Sequence, residues 1–423
     1  MNINNRLFEF IKSSPSPYHT VESVKTELLE CGYSELYEAD RWNLTDGGKY
    51  FVIRNGTSII AFKAKQSPTG FMIVASHSDS PSFRLKITPE LSSAYTRLEV
   101  EKYGGMIYYS WLDRPLSIAG RAVVRTKAGI ESNLVNIDRD LAVIPSLAIH
   151  MNRGVNDGYK FNPAVDLLPI VGSSKAKGTV LREMANELKV DENDIISHDL
   201  FLYNRDEGRI FGVNNEYIIS PRLDDLECVF ASLRAFLSAS DSKSIPVLAV
   251  FDNEEVGSET KQGAASTFLH DVLLRVAGDD YYTMIDNSFM ISADNAHARH
   301  PNHPELADAD NAPLMNGGIV VKWNANQKYT TDGVSDAFFR TVCERCSAKV
   351  QSYYNRADML GGSTLGSISN TKVSIPTVDI GLAQLAMHSA NETAGAEDLP
   401  FMINALTEFL STSIEKRGEK IIF

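Results

Sequence analysis

The sequence predicts an α/β protein with two domains, one inserted into the other. Short apolar runs bounded by polar turns are typical of buried central strands, and Phe71–Ala75 and Ile245–Phe251 have this form. Apolar residues at helical spacing in Asp225–Ser240 and Glu397–Lys416 predict amphipathic helices. Because strands alternate with helices along the chain, we expect a sheet covered by helices.

The length of the chain also favours two domains. A single hydrophobic core stops growing at roughly 250–300 residues, and this chain has 423. Residues 84–219 contain short β-like pieces and many turns but few long helical patterns. We therefore predict a discontinuous main domain, residues 1–83 and 220–423, interrupted by an inserted β-rich domain, residues 84–219. The β-like pieces are Arg97–Val100, Ala122–Thr126, Leu200–Tyr203 and Arg209–Val213.

Composition and charge limit the classes of function. The formal net charge of −13 predicts repulsion from phosphate backbones, so nucleic-acid binding is not expected. No apolar run in the sequence approaches the roughly 20 residues that cross a bilayer, so no membrane association is expected. Met1–Phe10 is polar and carries an acidic residue, so we expect neither a signal peptide nor a transit peptide and predict a cytoplasmic location.

The four cysteines do not predict a disulfide framework in a chain of this length. Cys343 and Cys346 form a C-x-x-C pair, but a structural zinc site needs a second ligand pair at a matching spacing, and none follows. The pair also lies in Val334–Lys349, whose apolar spacing predicts an amphipathic helix. We interpret both cysteines as partly buried helix residues.

Acids and histidines follow four apolar runs at the point where each run ends. The last two of these runs, Tyr282–Ala293 and Val373–Leu382, are also interpreted as strands. Ligands of α/β sheets bind beyond the carboxyl ends of the strands, so clusters far apart in sequence are expected to converge there. The four clusters are Ser76-His77-Ser78-Asp79, Asp252-Asn253-Glu254-Glu255, Asp294-Asn295-Ala296-His297 and Gln384-Leu385-Ala386-Met387-His388.

Each cluster alone also fits a structural role. Asp224 and Asp225 lie at the start of a predicted helix, where acids cap the backbone and complement the helix dipole. Asp294 could close a turn, and His388 could be a hydrogen-bonded core histidine. The combination of the clusters, rather than any one of them, indicates a metal site.

Glu254 and Glu255 indicate chemistry most directly. Two adjacent carboxylates after a fully apolar strand are costly unless a cation lies nearby, although a surface loop remains the alternative. Neighbouring side chains in an extended segment diverge, so one carboxylate can bind a metal while the other faces a water. Two histidines, two aspartates and one glutamate suffice for a pair of zinc-like ions that activate a bridging water. A glutamate that is not a ligand can then transfer the proton of that water.

A series of motifs, in a fixed order, extends over nearly the whole chain. They are Ser-Pro-Ser-Pro-Tyr-His-Thr-Val (14–21), Gly-Tyr-Ser-Glu-Leu (32–36), Ser-His-Ser-Asp-Ser-Pro (76–81), Tyr-Gly-Gly (103–105), Trp-Leu-Asp-Arg-Pro-Leu-Ser (111–117), Leu-Ala-Ile-His (147–150), Pro-Arg-Leu-Asp-Asp-Leu (221–226), Phe-Asp-Asn-Glu-Glu-Val-Gly-Ser (251–258), Ser-Ala-Asp-Asn-Ala-His-Ala (292–298), Gly-Gly-Ser-Thr-Leu-Gly (361–366) and Ala-Met-His-Ser (386–389). In this order they resemble the aspartyl aminopeptidase family of binuclear zinc metallopeptidases. Two positions differ from the family pattern. Asn391 stands where Arg is common after Met-His-Ser, and Ser367 stands where Pro usually follows Thr-x-Gly.

The resemblance implies a fold and a ligand set. It implies a zinc-peptidase-like catalytic domain with a mixed, mostly parallel sheet flanked by helices, and an inserted domain that dimerises. Glu254 matches the general base, and Asp79 matches the acid that orients a metal-binding histidine. Asp224 matches the ligand that bridges the two ions. The residues that resemble the metal ligands are His77, Asp224, Glu255, Asp294 and His388.

Three further residues receive roles only from the resemblance. His150 matches a residue that reaches from the inserted domain of one subunit into the active site of its partner. Lys322 and Tyr329 resemble positions that contact the substrate, although both also fit a strand and loop on the surface. The resemblance further implies dimers that assemble into a dodecamer and act on peptides.

The hypothesis is therefore an aminopeptidase that holds two divalent ions per subunit and removes N-terminal residues, with a preference for Asp or Glu. Zinc is the expected metal, and manganese or cobalt are alternatives because mixed carboxylate–imidazole sites accept several ions. Two other activities stay open: a preference for neutral or apolar N-terminal residues, and a deacylase of N-acyl amino acids on the same scaffold. A non-catalytic assembly or cargo-binding protein is the alternative outside enzymes.

Overall fold

A computed structural model describes residues 2–423 as a chain of alternating helices and strands. The α-helices, in chain order, are α1 (Ile3–Ser13), α2 (Pro17–Glu30), α3 (Pro163–Asp166), α4 (Thr179–Leu188), α5 (Leu223–Ser238), α6 (Phe268–Ala277), α7 (Tyr281–Asp286), α8 (Gly333–Arg345), α9 (Leu365–Ser369) and α10 (Asp398–Leu410). The strands, in chain order, are β1 (Ser34–Leu36), β2 (Lys49–Arg54), β3 (Ser58–Lys63), β4 (Phe71–His77), β5 (Ser82–Ser92), β6 (Tyr95–Tyr103), β7 (Leu116–Thr126), β8 (Gly129–Asn136), β9 (Ile170–Ser173), β10 (Ile195–Asn204), β11 (Arg209–Phe211), β12 (Tyr217–Ser220), β13 (Ile245–Phe251), β14 (Phe289–Ala293), β15 (Ala296–His297), β16 (Ile319–Trp323), β17 (Val350–Tyr354), β18 (Thr377–Gly381), β19 (Ala383–Leu385), β20 (Glu392–Gly395), β21 (Glu415–Arg417) and β22 (Lys420–Ile422).

A nine-stranded sheet in the order β1-β2-β3-β13-β4-β14-β18-β16-β17 is the frame of the main domain. Its centre, β13-β4-β14-β18, is parallel throughout, whereas β3 and β16 run antiparallel to the central strands beside them. Every residue of β4 and of β13 is buried, as expected for continuous apolar runs between two layers of helices. The expectation of a mixed, mostly parallel sheet is confirmed.

Helices cover both faces of this sheet. Successive side chains of β4 enter different cores, with Met72 and Val74 in one core and Phe71 and Ile73 in the other. The first core also contains residues of α1, α2, α5, α8 and α10, and the second contains residues of α6, α7 and α9. No helix in residues 2–423 is both long and apolar enough to cross a membrane.

The predicted helices are present with altered ends. The pattern that begins at Asp225 becomes α5, and the pattern that begins at Glu397 becomes α10, which ends at Leu410 and is followed by β21. The pattern around the C-x-x-C pair becomes α8, which starts where the side chain of Asp332 caps the backbone. Cys343 is buried in α8 and Cys346 is half-buried at its end, and neither belongs to a metal-binding group among the described residues.

One predicted strand is partly wrong. The run Tyr282–Ala293 divides into α7 and β14, and only its second half is extended. Tyr, Thr and Ile favour strands, but Tyr281 and Met284 lie one helical turn apart and both enter the core beneath the sheet. The tertiary packing therefore overrides the local preference.

Residues of the predicted insert form a separate six-stranded sheet in the order β8-β7-β10-β5-β6-β9. Its core includes Phe83, Trp111 and Leu200, and the ring of Trp111 meets that of Phe83 edge-on at 5.3 Å. Strands β11 and β12 instead belong to a five-stranded sheet with β15, β19 and β20. The division into residues 1–83 plus 220–423 and 84–219 remains a proposal, since β12 pairs with β20 of the main domain and β11 pairs with β12.

Candidate metal centre

The carboxyl ends of β13, β4 and β14 meet at one edge of the nine-stranded sheet. The register places Phe251 opposite His77 and Ser292 opposite Ala75. His77, at the end of β4, is therefore level with the residues that follow the two neighbouring strands. Those residues are a single 3-10 turn, Glu254–Val256, after β13 and Asp294 after β14.

Five side chains at this edge form two groups that share Asp224. Oδ1 of Asp224 lies 3.5 Å from Nε2 of His77, and Oδ1 of Asp294 lies 3.8 Å from the same nitrogen. Oδ2 of Asp224 lies 3.4 Å from Nε2 of His388. Oε2 of Glu255 is also 3.4 Å from Nε2 of His388. Asp224 thus offers one oxygen to each group, which is what a bridging ligand does.

The donor set fits zinc-like cations. A tetrahedral zinc ion with bonds of about 2.0–2.2 Å keeps its ligand atoms about 3.3–3.6 Å apart, close to these separations. Oδ1 of Asp224 and Oε1 of Glu255 are buried without a hydrogen-bond donor among residues 2–423. Buried carboxylate oxygens normally have a partner, and a cation would supply one here.

In both His77 and His388, the ring nitrogen that faces away from the cluster lies within hydrogen-bond distance of an oxygen. Nδ1 of His77 lies 3.1 Å from the carbonyl oxygen of Asp79 and 3.3 Å from its Oδ1. Nδ1 of His388 lies 2.7 Å from the carbonyl oxygen of Gly105. With Nδ1 as the donor, Nε2 of each ring is free to bind a metal, which is the usual arrangement of metal-binding histidines.

The pKa shifts of the side chains in the cluster indicate that it favours bound positive charge. Burial and the nearby charge of Asp224 raise the pKa of Glu255 well above its usual range. Burial alone would raise the pKa of Asp224, but the imidazoles of His388 and His77 beside it lower it. Against burial, the hydrogen bond to Asp224 and the charge of Glu255 raise the pKa of His388 to about 10. The acids thus stabilise whatever cation lies between them, a proton or a metal ion.

Glu254 lies beside this cluster but is not tied into it. Its carboxylate accepts no hydrogen bond from residues 2–423, and one of its oxygens is within 4.8 Å of ligand atoms of His77 and Glu255. Burial, together with the charges of Asp294 and Asp79, raises the pKa of Glu254 to about 8. A free carboxyl group that exchanges protons near neutral pH has the properties of a general base.

Lys322 and Tyr329 lie against one of the ligands. The ammonium group of Lys322 donates to the carbonyl oxygen of Asp294 at 2.7 Å and to its Oδ2 at 3.1 Å. A third contact, at 3.3 Å, goes to the carbonyl oxygen of Asn295. The ring of Tyr329 faces the same ammonium group at 5.3 Å. Lys322 is therefore a buried partner of Asp294 rather than a residue of the open surface.

His150 is not brought to the cluster within a single chain. It lies in an exposed segment of residues 145–154 that presents apolar side chains to solvent. Leu147, Ile149 and Met151 are 54%, 47% and 76% exposed. No hydrogen bond or ion pair within residues 2–423 connects His150 with the metal centre.

Three residues beside the cluster were given no part in the metal site from the sequence. Oδ2 of Asp225 accepts the backbone N–H of His77 at 3.1 Å, and Asp225 belongs to the first ligand group. Glu392 accepts the backbone N–H groups of two ligands, Asp224 at 2.9 Å and His388 at 2.7 Å. His297 lines a cleft of about 310 Å³ beside the His388 loop. Asp225, next to Asp224, and His297, three residues after Asp294, had local signals in the sequence, whereas Glu392 had none.

Comparisons with known proteins agree with this geometry. The family model described as Aminopeptidase I zinc metalloprotease (M18) matches residues 10–410. A protein of Clostridium acetobutylicum named "Probable M18 family aminopeptidase 2" is 48% identical over 421 residues, which cover 96% of this chain and 97% of the relative. A protein of the same name from Pseudomonas aeruginosa PAO1 is 39% identical over 423 residues, covering 97% of this chain and 98% of the relative.

Solved structures give the same result. Ape4 in its complex with Nbr1 aligns with a TM-score of 0.93 and 34% identity over 96% of this chain and 85% of that one. The S. cerevisiae mApe1 dodecamer aligns with a TM-score of 0.85 and 29% identity over 96% of each chain.

Together, the helix-covered mixed sheet and the carboxylate–imidazole cluster at its edge define a metal-dependent peptidase. More narrowly, the chain belongs to the M18 family of zinc aminopeptidases. The resemblance inferred from the motifs is confirmed, and the protein is a hydrolase of the aminopeptidase class.

Proposed function

We propose that this M18 aminopeptidase removes N-terminal Asp or Glu residues from peptides, using two divalent ions held by His77, Asp224, Glu255, Asp294 and His388. The observation that carries the proposal is the position of Asp224, with one oxygen in each ligand group. Zinc is the expected ion, with manganese and cobalt as alternatives. Two such ions would polarise the scissile carbonyl and acidify the attacking water.

The residues of the chain supply the proton transfer and the orientation. Glu254 takes a proton from the attacking water and delivers it to the leaving amine, because its carboxylate faces the cluster without another partner. Asp79 holds the imidazole of His77 through Nδ1. Its two oxygens also accept the backbone N–H groups of Glu254 and Glu255, so the base and a ligand are positioned by the same carboxylate.

Glu254→Gln tests the role of the base. The amide keeps the size of the side chain but cannot accept a proton, so kcat is expected to fall by about 10²–10⁴-fold while zinc content is unchanged. Glu259→Gln, on the exposed segment that follows, is the matched control. A kcat within about tenfold of wild type, with the metal retained, would remove Glu254 from this role.

Lys322 is the proposed recognition residue for an acidic side chain of the substrate, with Tyr329 beside it. The alternative, a preference for neutral or apolar residues, is favoured by one observation: Lys322 already donates to Asp294 and Asn295. The ratio of kcat/KM between aspartyl and leucyl substrates is expected to favour Asp in wild type and to collapse in Lys322→Ala but not in Lys328→Ala. An unchanged ratio in Lys322→Ala would contradict the assignment.

Recognition of a free α-amine separates the peptidase from a deacylase. An aspartyl substrate and its N-acetylated form differ only at that amine. We expect loss of turnover when the amine is acetylated, because the acetyl group removes the positive charge that carboxylates of the site attract. Faster turnover of the acetylated form would favour the deacylase.

We further propose a cytoplasmic homo-oligomer of dimers assembled into a dodecamer, in which His150 of one subunit stabilises the oxyanion in its partner. Support comes from the exposed apolar residues around His150 and from the dodecameric mApe1 of S. cerevisiae. Light scattering of wild type and of Met151→Glu tests the assembly. The activity of His150→Ala tests whether His150 stabilises the oxyanion in the partner subunit. A fully active monomer would contradict both parts of this proposal.

A further inference from the structure

One segment of the insert contacts the metal centre of its own chain. The segment comprises residues 103–110 and is called the strap below; it starts at the last residue of β6 and enters the 3-10 turn Tyr108–Trp111. Its contacts reach residues that follow β4, β13 and β19, three elements of the main domain. The strap therefore joins the insert to the ligands without a second subunit.

Tyr103 fixes the carboxylate of Asp79. The hydroxyl of Tyr103 donates to Oδ2 of Asp79 at 2.7 Å and accepts from Nδ2 of Asn253 at 2.8 Å. Asp79 is fully buried, so water cannot replace a donor that is removed. Because Asp79 orients the imidazole of His77 and the turn that carries Glu255, the tyrosine hydroxyl acts on two ligands through one carboxylate.

Gly104 lets the strap approach Glu255 closely. Its φ is +77°, a left-handed conformation that favours glycine, and a Cβ at this position would lie 3.2 Å from Cβ of Glu255 and 3.5 Å from its Oε2. The backbone of the strap therefore packs directly on a metal ligand. A side chain at position 104 would push against that ligand.

The rest of the strap holds the loop that carries His388. The carbonyl oxygen of Gly105 accepts from Nδ1 of His388, and the N–H of Ile107 donates to the carbonyl oxygen of His388 at 3.0 Å. Oγ of Ser110 accepts the N–H of Ala390 at 2.9 Å. His388 has a φ of +67°, which is uncommon for a residue with a side chain and persists where neighbouring contacts enforce it.

We propose that the strap is a positioning element of the metal centre, so that the insert sets the affinity for metal ions within its own chain. This inference rests on the metal site of the proposed function. It differs from the role of His150, which requires a neighbouring subunit. Neither Tyr103 nor Gly104 belongs to a candidate ligand group, and the strap acts through Asp79, Glu255 and His388.

The first test compares Tyr103→Phe with Tyr95→Phe. Tyr95 lies on the same strand, is 59% exposed and makes no side-chain hydrogen bond within residues 2–423. Zinc affinity is measured by competition with a chromophoric chelator on the full chain, and circular dichroism checks folding. We expect Tyr103→Phe to bind zinc about 10–100-fold more weakly, the usual effect of losing a group that orients a ligand, and Tyr95→Phe to match wild type.

The second test compares Gly104→Ala with Gly47→Ala. The two glycines have φ values of +77° and +73°, but a Cβ at position 47 meets nothing within 4 Å. Both variants carry the same backbone strain and are expected to lose similar thermal stability, whereas only Gly104→Ala is expected to lose zinc affinity. This pair keeps the test open if Tyr103→Phe fails to fold.

The role of the strap alone would be overturned if wild type binds zinc and both strap variants bind zinc within about twofold of their controls. Wild type that binds no zinc would overturn the proposed function and this inference with it. The two failures are therefore distinguished by the wild-type titration.

Discussion

Three buried carboxylates each join two parts of the metal centre. Asp224 divides its oxygens between the two ligand groups. Asp79 joins His77 to the turn that carries the two glutamates, and Glu392 joins the backbones of Asp224 and His388. Because each carboxylate uses both oxygens, shared carboxylates connect four of the five proposed ligands: His77, Asp224, Glu255 and His388.

Glu392→Gln tests this dependence at a residue outside the candidate ligand groups. An amide can accept only one of the two backbone N–H groups, and its own NH₂ then faces the other donor. We expect zinc affinity to fall by about 10–100-fold and kcat/KM to fall with it. Zinc titration of this variant beside Glu397→Gln, an exposed neighbour, is the measurement. An unchanged zinc affinity would show that Glu392 is dispensable.

The residues that meet at this edge lie in recognisable motifs of the sequence, and Asp79 was expected beside His77, whereas the contacts of Glu392 and Tyr103 were not predictable. The bond between Glu392 and Asp224 joins residues 168 positions apart, and that between Tyr103 and Asn253 joins residues 150 apart. No local periodicity marks such pairs. The burial of Lys322 was also invisible, because a lysine near the end of a strand usually reaches solvent.

At the scale of elements, the apolar runs predicted β4 and β13 well because a strand buried on both faces has a distinctive composition. α7 was missed because its aromatic and β-branched residues favour strands and only tertiary packing makes it helical. The pairing of β12 with β20 was likewise not predictable, since sheet partners are set by contacts distant in sequence.

One ion-pair network connects α2 with the insert sheet. Asp199 on β10 accepts Nε of Arg121 on β7 at 2.8 Å and the hydroxyl of Tyr18 on α2 at 3.2 Å, and it also pairs with Arg84 on β5. Burial alone would raise the pKa of Asp199, but the hydrogen bond and charge of Arg121, with the charge of Arg84, lower it below the ordinary value of 3.8. The carboxylate therefore contributes stability while it is ionised.

Asp199→Asn should show this contribution and its pH dependence. The substitution keeps the shape but removes the charge, and we expect a loss of about 1–2 kcal/mol in the free energy of unfolding at pH 7. Since the folded pKa lies below the unfolded one, the difference from wild type should be full above pH about 4 and shrink as the pH falls further. Urea unfolding at several pH values measures it, with Asp286→Asn, an exposed pair, as control. A difference that does not vary with pH would contradict the electrostatic origin.

At the scale of the whole molecule, contacts at the candidate metal centre and at α2 join the predicted insert to the rest of the chain. The strap and the Asp199 network connect it to ligands and to α2 within one chain. The segment around His150 extends from the same insert into solvent. The predicted insert thus contains both the strap and the exposed apolar residues around His150.

The most direct test of the central claim is the number of zinc ions that each chain binds. Metal-free protein is titrated with zinc by calorimetry, and the bound metal is counted by mass spectrometry, for wild type, Asp224→Asn and Asp286→Asn. We predict two zinc ions per chain in wild type and in Asp286→Asn, and the loss of at least one in Asp224→Asn because Asn offers only one oxygen. One ion per wild-type chain, or two retained in Asp224→Asn at unchanged affinity, would contradict the shared site.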